Sequence, residues 1–214
     1  MRKILGATLG LLLAAGLAGA QGTIVGSAHD FSGDGWNASG EICLPCHTPH
    51  NAYTFGGAGG GTNQLVPLWN HTATTASFTV YTSPSGTLDA TDVGQPAGVS
   101  KACLSCHDGS VALDSFGGAT GTTTISGGAL LGTDLSNDHP VTFTYNTALA
   151  TADGELHNPS AVASGLGSTI ANDMLFNDKM ECASCHDPHN TPGLASLLLK
   201  SNAASALCLT CHNK

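Results

Sequence analysis

The sequence predicts a chain that is mostly irregular, with short α-helices and a few short strands wrapped around something other than a side-chain core. Three observations carry this expectation. Glycine supplies 28 of the 214 residues, well above a usual share of about 7%. Aromatic residues are 5% and charged residues 10% of the chain, the latter against about 25% in ordinary soluble domains, so material for a packed core is thin. All eight cysteines fall into one five-residue pattern that occurs four times.

At the N-terminus, Arg2 and Lys3 precede an apolar stretch from Ile4 to Leu17, and Ala18-Gly19-Ala20 supplies a small-x-small cleavage pattern. Residues 1–20 are therefore expected to be a signal peptide and residues 21–214 the mature domain. The stretch is shorter and more glycine-punctuated than a membrane span of about 20 residues, so export without a membrane span is the expectation. Removal of Arg2 and Lys3 leaves four basic residues against fifteen acidic ones, a formal charge of −11. Such a balance disfavours nucleic acid and anionic membrane surfaces as partners.

An exported chain with an even cysteine count ordinarily suggests disulfides, but here the pattern speaks otherwise. The four copies are Cys43-Leu-Pro-Cys46-His47, Cys103-Leu-Ser-Cys106-His107, Cys182-Ala-Ser-Cys185-His186 and Cys208-Leu-Thr-Cys211-His212. Cys-x-x-Cys-His is the attachment signal for c-type haem. Two thiols on one helical turn bond the two vinyl groups, and the following histidine takes one axial position on the iron. Neither tetrahedral zinc sites nor a thioredoxin-like redox pair explains a histidine after every pair. Four covalently bound haem c groups are expected, on Cys43, Cys46, Cys103, Cys106, Cys182, Cys185, Cys208 and Cys211, with His47, His107, His186 and His212 as proximal ligands.

Four irons then leave four axial positions for six further histidines: His29, His50, His71, His139, His157 and His189. Of three methionines, Met1 leaves with the signal, and Met174 and Met180 compete only weakly. Bis-histidine irons pass electrons but offer no open face to a substrate, so no enzyme activity and no catalytic residue is expected. His50 and His189 each follow a proximal histidine by three residues in the phrase Cys-His-x-Pro-His-Asn. The proline pushes its preceding residue out of helical geometry, which turns the second histidine sideways toward a neighbouring haem. His139 precedes Pro140 on extended backbone, and His71 follows Pro67-Leu68-Trp69-Asn70. His29 lies near the mature N-terminus. His157, beside Glu155, reads as a solvent-exposed loop residue and stays outside the ligand set.

The motifs form two repeated pairs, with haem-pair unit 1 at about 41–145 and unit 2 at about 180–214. Unit 1 is expanded by an insertion that begins with Gly56 to Thr62 and includes a strand candidate near Phe78–Tyr81, bounded by Pro84 and Pro96. Val141–Tyr145 is a second strand candidate. Helices are expected at Leu194–Lys200 and Ala203–Cys211, where Leu199, Ala203, Ala206 and Leu207 recur at helical spacing.

These phrases resemble a known family. Gly22-Thr-Ile-Val-Gly-Ser-Ala-His29-Asp30-Phe31, Cys43-x-x-Cys-His-Thr-Pro-His50-Asn51, Pro67-Leu-Trp-Asn-His71, Cys106-His-Asp108-Gly109, Asn137-Asp-His139-Pro-Val and Glu181-Cys-Ala-Ser-Cys-His-Asp-Pro-His189-Asn look like those of the OmcE-type outer-membrane tetrahaem cytochromes of metal-reducing bacteria. Residues 182–212 also resemble the wider doubled-motif cytochromes. The resemblance implies a multihaem cytochrome c wrapped around a haem chain and an extracellular location. It further implies a homopolymeric filament of stacked copies, electron exchange with other redox proteins and extracellular acceptors, and one haem ligated by a neighbouring protomer's histidine. His29, on a terminal arm with no haem before it, is the first candidate for that bridging ligand. A monomeric periplasmic shuttle and a multihaem reductase are the alternatives.

Overall fold

The computed structural model describes residues 24–50, 66–83 and 85–213. The signal segment, Asn51, the Gly56–Thr62 stretch and Pro84 lie outside them. Regular structure is sparse: helices α1 (Gly98–His107), α2 (Thr147–Asp153), α3 (Ile170–Met174) and α4 (Cys208–Cys211), strands β1 (Phe143–Thr144) and β2 (Lys179–Met180), and five 3₁₀ turns. The mostly irregular fold expected from composition is what is found. No helix among the described residues is long and apolar enough to cross a membrane.

Each element has a local cause. In α1, Val99 and Ala102 recur at helical spacing and bury against Val66 and Trp69, while Leu104 packs against Phe78 and Leu135. The helix stops where Gly109 takes φ +75, a left-handed conformation open to glycine at little cost. Asn146 caps α2 by accepting from Leu149 N, and Gly154 closes it at φ +74, so both ends of this helix are written in its sequence. Thr169 caps α3 by accepting from Asn172 N.

The strand expected at 141–145 shortens to β1, which pairs antiparallel with β2, Phe143 opposite Met180. Thr142 at φ +59 interrupts it on one side. Near Phe78–Tyr81 only a single parallel bridge forms, Thr79 to Asp134. The helix expected at Leu194–Lys200 is absent. Only a 3₁₀ turn at Ala195–Leu197 is present, with Ser196 and Leu197 left-handed, because this backbone bonds the third motif instead: Asp187 N donates to Leu197 O and Leu199 N to Cys185 O. Ala203–Cys211 likewise divides into a 3₁₀ turn at Ala203–Ser205 and α4, broken by left-handed Ala204 and Ser205.

The apolar interior is divided. The largest cluster joins Phe143, Tyr145, Ile170, Met174, Leu175, Met180 and Leu207 to Cys211 of the fourth motif. Met174 and Met180 are packing residues here, 1% and 5% exposed. The Tyr145 hydroxyl donates to His157 O at 2.6 Å, and Leu156 bridges His212, so the segment between the repeats is wrapped onto the fourth motif.

Candidate haem-binding site

Each motif closes a helical turn. The histidine amide donates to the first cysteine's carbonyl at 2.8 Å for His47, 3.1 Å for His186 and 3.0 Å for His212, and the second motif ends α1. Both thiols of a pair therefore share one turn with their histidine, as bonding two vinyl groups of one porphyrin requires.

The proximal imidazoles are oriented by backbone. Nδ1 of His47 lies 2.8 Å from Pro67 O, Nδ1 of His107 lies 2.7 Å from Ala129 O, and Nδ1 of His186 lies 2.8 Å from Ser196 O. A carbonyl oxygen only accepts, so Nδ1 is the donor, and the neutral ring with that tautomer presents the Nε2 lone pair that binds a metal. His139 follows the same rule, with Nδ1 2.9 Å from Pro140 O. His29 does so more loosely, with Nδ1 3.2 Å from Pro188 O.

The spare histidines are placed unevenly. A metal–imidazole bond of about 2 Å puts two rings on opposite sides of one metal with centroids roughly 6 Å apart. Among the described residues three histidine pairs have this separation: His47 with His189 at 6.1 Å, His29 with His107 at 6.1 Å, and His139 with His212 at 6.3 Å. Each joins one motif histidine to one spare histidine. Each pair brings together two imidazoles, the number of protein ligands a bis-histidine haem iron takes. The residues fit haem c in thiol placement, tautomer and ring spacing.

His71 stands apart. It is 1% exposed, with Nδ1 2.9 Å from Thr72 O and Nε2 3.0 Å from Ala112 O. Its ring lies 6.4 Å from Trp69. Burial holds its pKa below the usual histidine value, and burial does the same for His29. His50 is exposed. His157 is not the solvent-exposed loop residue expected from its acidic neighbour: it is half-buried, and its amide donates to Cys211 O at 2.8 Å. The N-terminal arm does not extend away. Asp30 accepts from Gly26 N and Ser32 N, and Phe31 packs on Trp36 at 5.0 Å, which folds His29 onto the same chain's second motif.

A buried carboxylate that sequence reasoning missed joins the second and third motifs. Glu181, 4% exposed, accepts from Ser100 N at 3.1 Å, from the Ser100 hydroxyl and from Thr142 Oγ1 at 3.2 Å. Its own amide donates to Ser184 Oγ at 2.9 Å. Burial pushes its carboxyl above the ordinary range despite these donors. The adjoining Cys182 amide donates to the Ser100 hydroxyl at 3.0 Å. Only the Glu-Cys-x-Ser arrangement at 181–184, which puts a serine three residues after the glutamate, hinted at this capping geometry. Elsewhere burial raises the motif thiols, Cys46 to about 11, Cys106 to about 12 and Cys211 to about 11.

A family model for the doubled CXXCH motif matches residues 175–214. No curated protein matches the chain. The match covers the second motif pair and supports a multihaem c-type cytochrome, with covalently bound haem c and a role in electron transfer.

Proposed function

We propose that the mature chain is an exported tetrahaem cytochrome in which all four irons have two histidine ligands and which acts as an electron conduit, not as an enzyme. The observation that carries this reading is the set of three histidine pairs at 6.1–6.3 Å. The ligand pairs are His47 with His189, His107 with His29, and His212 with His139. His50 completes the haem of His186. Its phrase repeats that of His189, and one repeat's second histidine already faces the other repeat's proximal one, so the exchange is reciprocal. His71 and His157 remain as packing and backbone-anchoring residues.

The haem iron supplies one-electron chemistry. The protein's part is to hold Nε2 of each ligand unprotonated, to fix the ring by an Nδ1 hydrogen bond, and to cover the porphyrin. With Met174 and Met180 buried in a packing cluster, no thioether ligand is at hand among the described residues, and the potentials lie below those of histidine/methionine cytochromes.

The finer reading is a homopolymeric extracellular filament. It rests on the resemblance of the phrases and on large apolar side chains left exposed beside the motifs: Leu68 at 49%, Leu130 at 44%, Leu131 at 47% and Leu209 at 44%. These suit burial against porphyrin or a second copy. Intact mass with electron paramagnetic resonance of the oxidised protein tests the haem reading, and negative-stain microscopy tests the filament. A haem count other than four, or a dominant high-spin signal, overturns the first. Monodisperse single copies overturn the second.

A further inference from the structure

Two leucines hold the same unusual backbone at the same place in the two repeats. Leu68 has φ +57 and Leu197 φ +54, a region that leucine enters only at a cost because its Cβ crowds the following carbonyl. Each sits in a short segment running antiparallel to a motif histidine, with His47 bridging Trp69 and His186 bridging Leu198. The flanking bonds correspond one to one. Thr48 N donates to Leu68 O and Asp187 N to Leu197 O; Asn70 N donates to Cys46 O and Leu199 N to Cys185 O.

The left-handed residue has a specific consequence. In extended backbone, successive carbonyls point to opposite sides. Here two successive carbonyls face the same motif: Pro67 O meets His47 Nδ1 while Leu68 O meets Thr48 N, and Ser196 O meets His186 Nδ1 while Leu197 O meets Asp187 N. A φ near +55° at the residue between the two carbonyls turns both inward. The second motif serves as the contrast. Asp108 N is already bonded to Leu104 O at the end of α1, so only Ala129 O has to face His107. The intervening Leu130 has an ordinary φ of −80.

We propose that Leu68 and Leu197 are positioning residues for the haems of the first and third motifs, their left-handed backbone holding the carbonyl that orients the imidazoles of His47 and His186 and raises their basicity. Resting on the tetrahaem reading above, this inference adds what sets two of the four potentials. A hydrogen bond from Nδ1 strengthens the imidazole as a donor and favours ferric iron, so its loss moves the potential of the affected haem upward.

Backbone angle and side-chain cover separate by choice of substitution. Leu68→Gly keeps φ +57 without strain and removes the side chain. Leu68→Val keeps an apolar side chain, but its β-branch is hostile to positive φ. The same two changes at Leu197 test the second repeat independently. Intact mass of the wild-type protein first checks for four haems, so a failure of the tetrahaem reading shows there and not in the variants. Protein-film voltammetry and electron paramagnetic resonance then follow. The expected result is that each Val variant raises one wave of four and changes one low-spin signal, or loses one haem, while the Gly variant keeps the wild-type wave and signal. Val variants that match wild type overturn the proposal. Equal displacement by Gly and Val also overturns it, because side-chain packing would then be the cause.

Discussion

The imidazoles of His47 and His189 lie with centroids 6.1 Å apart, so the first motif faces the phrase that follows the third. The two phrases are far apart in sequence, and each has a proline directly before its second histidine. If His189 is a ligand to the iron of His47, His189→Ala leaves four thioether-bound haems, because attachment depends on the cysteines. One iron loses its sixth ligand. Carbon monoxide titration of the reduced variant should then find about one reactive haem per chain against none in the wild type, with a new high-spin signal when oxidised.

Glu181 gives a pH-dependent prediction. Burial raises its carboxyl, so the folded state favours the protonated form. Its contribution is therefore fully present below the ordinary carboxylate range and is lost as pH rises through the elevated folded value. Glu181→Gln keeps an oxygen where Oε2 accepts from Ser100 and Thr142 and carries no charge to bury. The variant should melt above the wild type at pH 7, with the gap closing toward pH 4. Thermal denaturation at the two pH values checks this.

The sequence made the haem motifs, the scarcity of regular structure and the direction of His189 legible, because each rests on local chemistry: vinyl-bonding thiols, glycine content and a proline's effect on its neighbour. Partner assignments were not legible. Nothing near Ala129 or Ser196 marks its carbonyl as an imidazole acceptor, since any residue offers one. The helix pattern of Leu194–Lys200 was real as a pattern, but this backbone bonds the third motif instead. His157 illustrates the same limit: its acidic neighbour suggested solvent, whereas its amide is spent on Cys211 O.

Asp92 and Lys179 form an ion pair at 2.7 Å between the loop before α1 and strand β2. Burial pushes the Asp92 carboxyl up, but hydrogen bonds from Lys179 and Thr144 outweigh it and hold the group at about 2. A depressed folded value means stability that is present above the ordinary aspartate range and is lost as pH falls toward 2. With the aspartate side chain 43% exposed, solvent screening keeps the contribution at about 1 kcal/mol or less. Asp92→Asn should be less stable than wild type in denaturant titrations at pH 7 and nearly equal to it near pH 2.

His29 decides how assembly and ligation are related. Its place on a terminal arm suggested a ligand donated to the next copy, but the arm is folded back by Asp30 and Phe31, and the ring lies 6.1 Å from His107 of its own chain. If that contact is a ligand pair, His29→Ala opens one iron to carbon monoxide without cutting any link between protomers. Filaments of normal length with about one carbon-monoxide-reactive haem per chain are therefore expected. Short or absent filaments would return His29 to the role of bridge, because a ligand shared between protomers makes polymerisation depend on iron coordination. His157→Ala serves as the reference: its side chain is assigned to no iron, and the amide that anchors it to Cys211 survives the change. It should leave both filament length and carbon monoxide uptake unaltered.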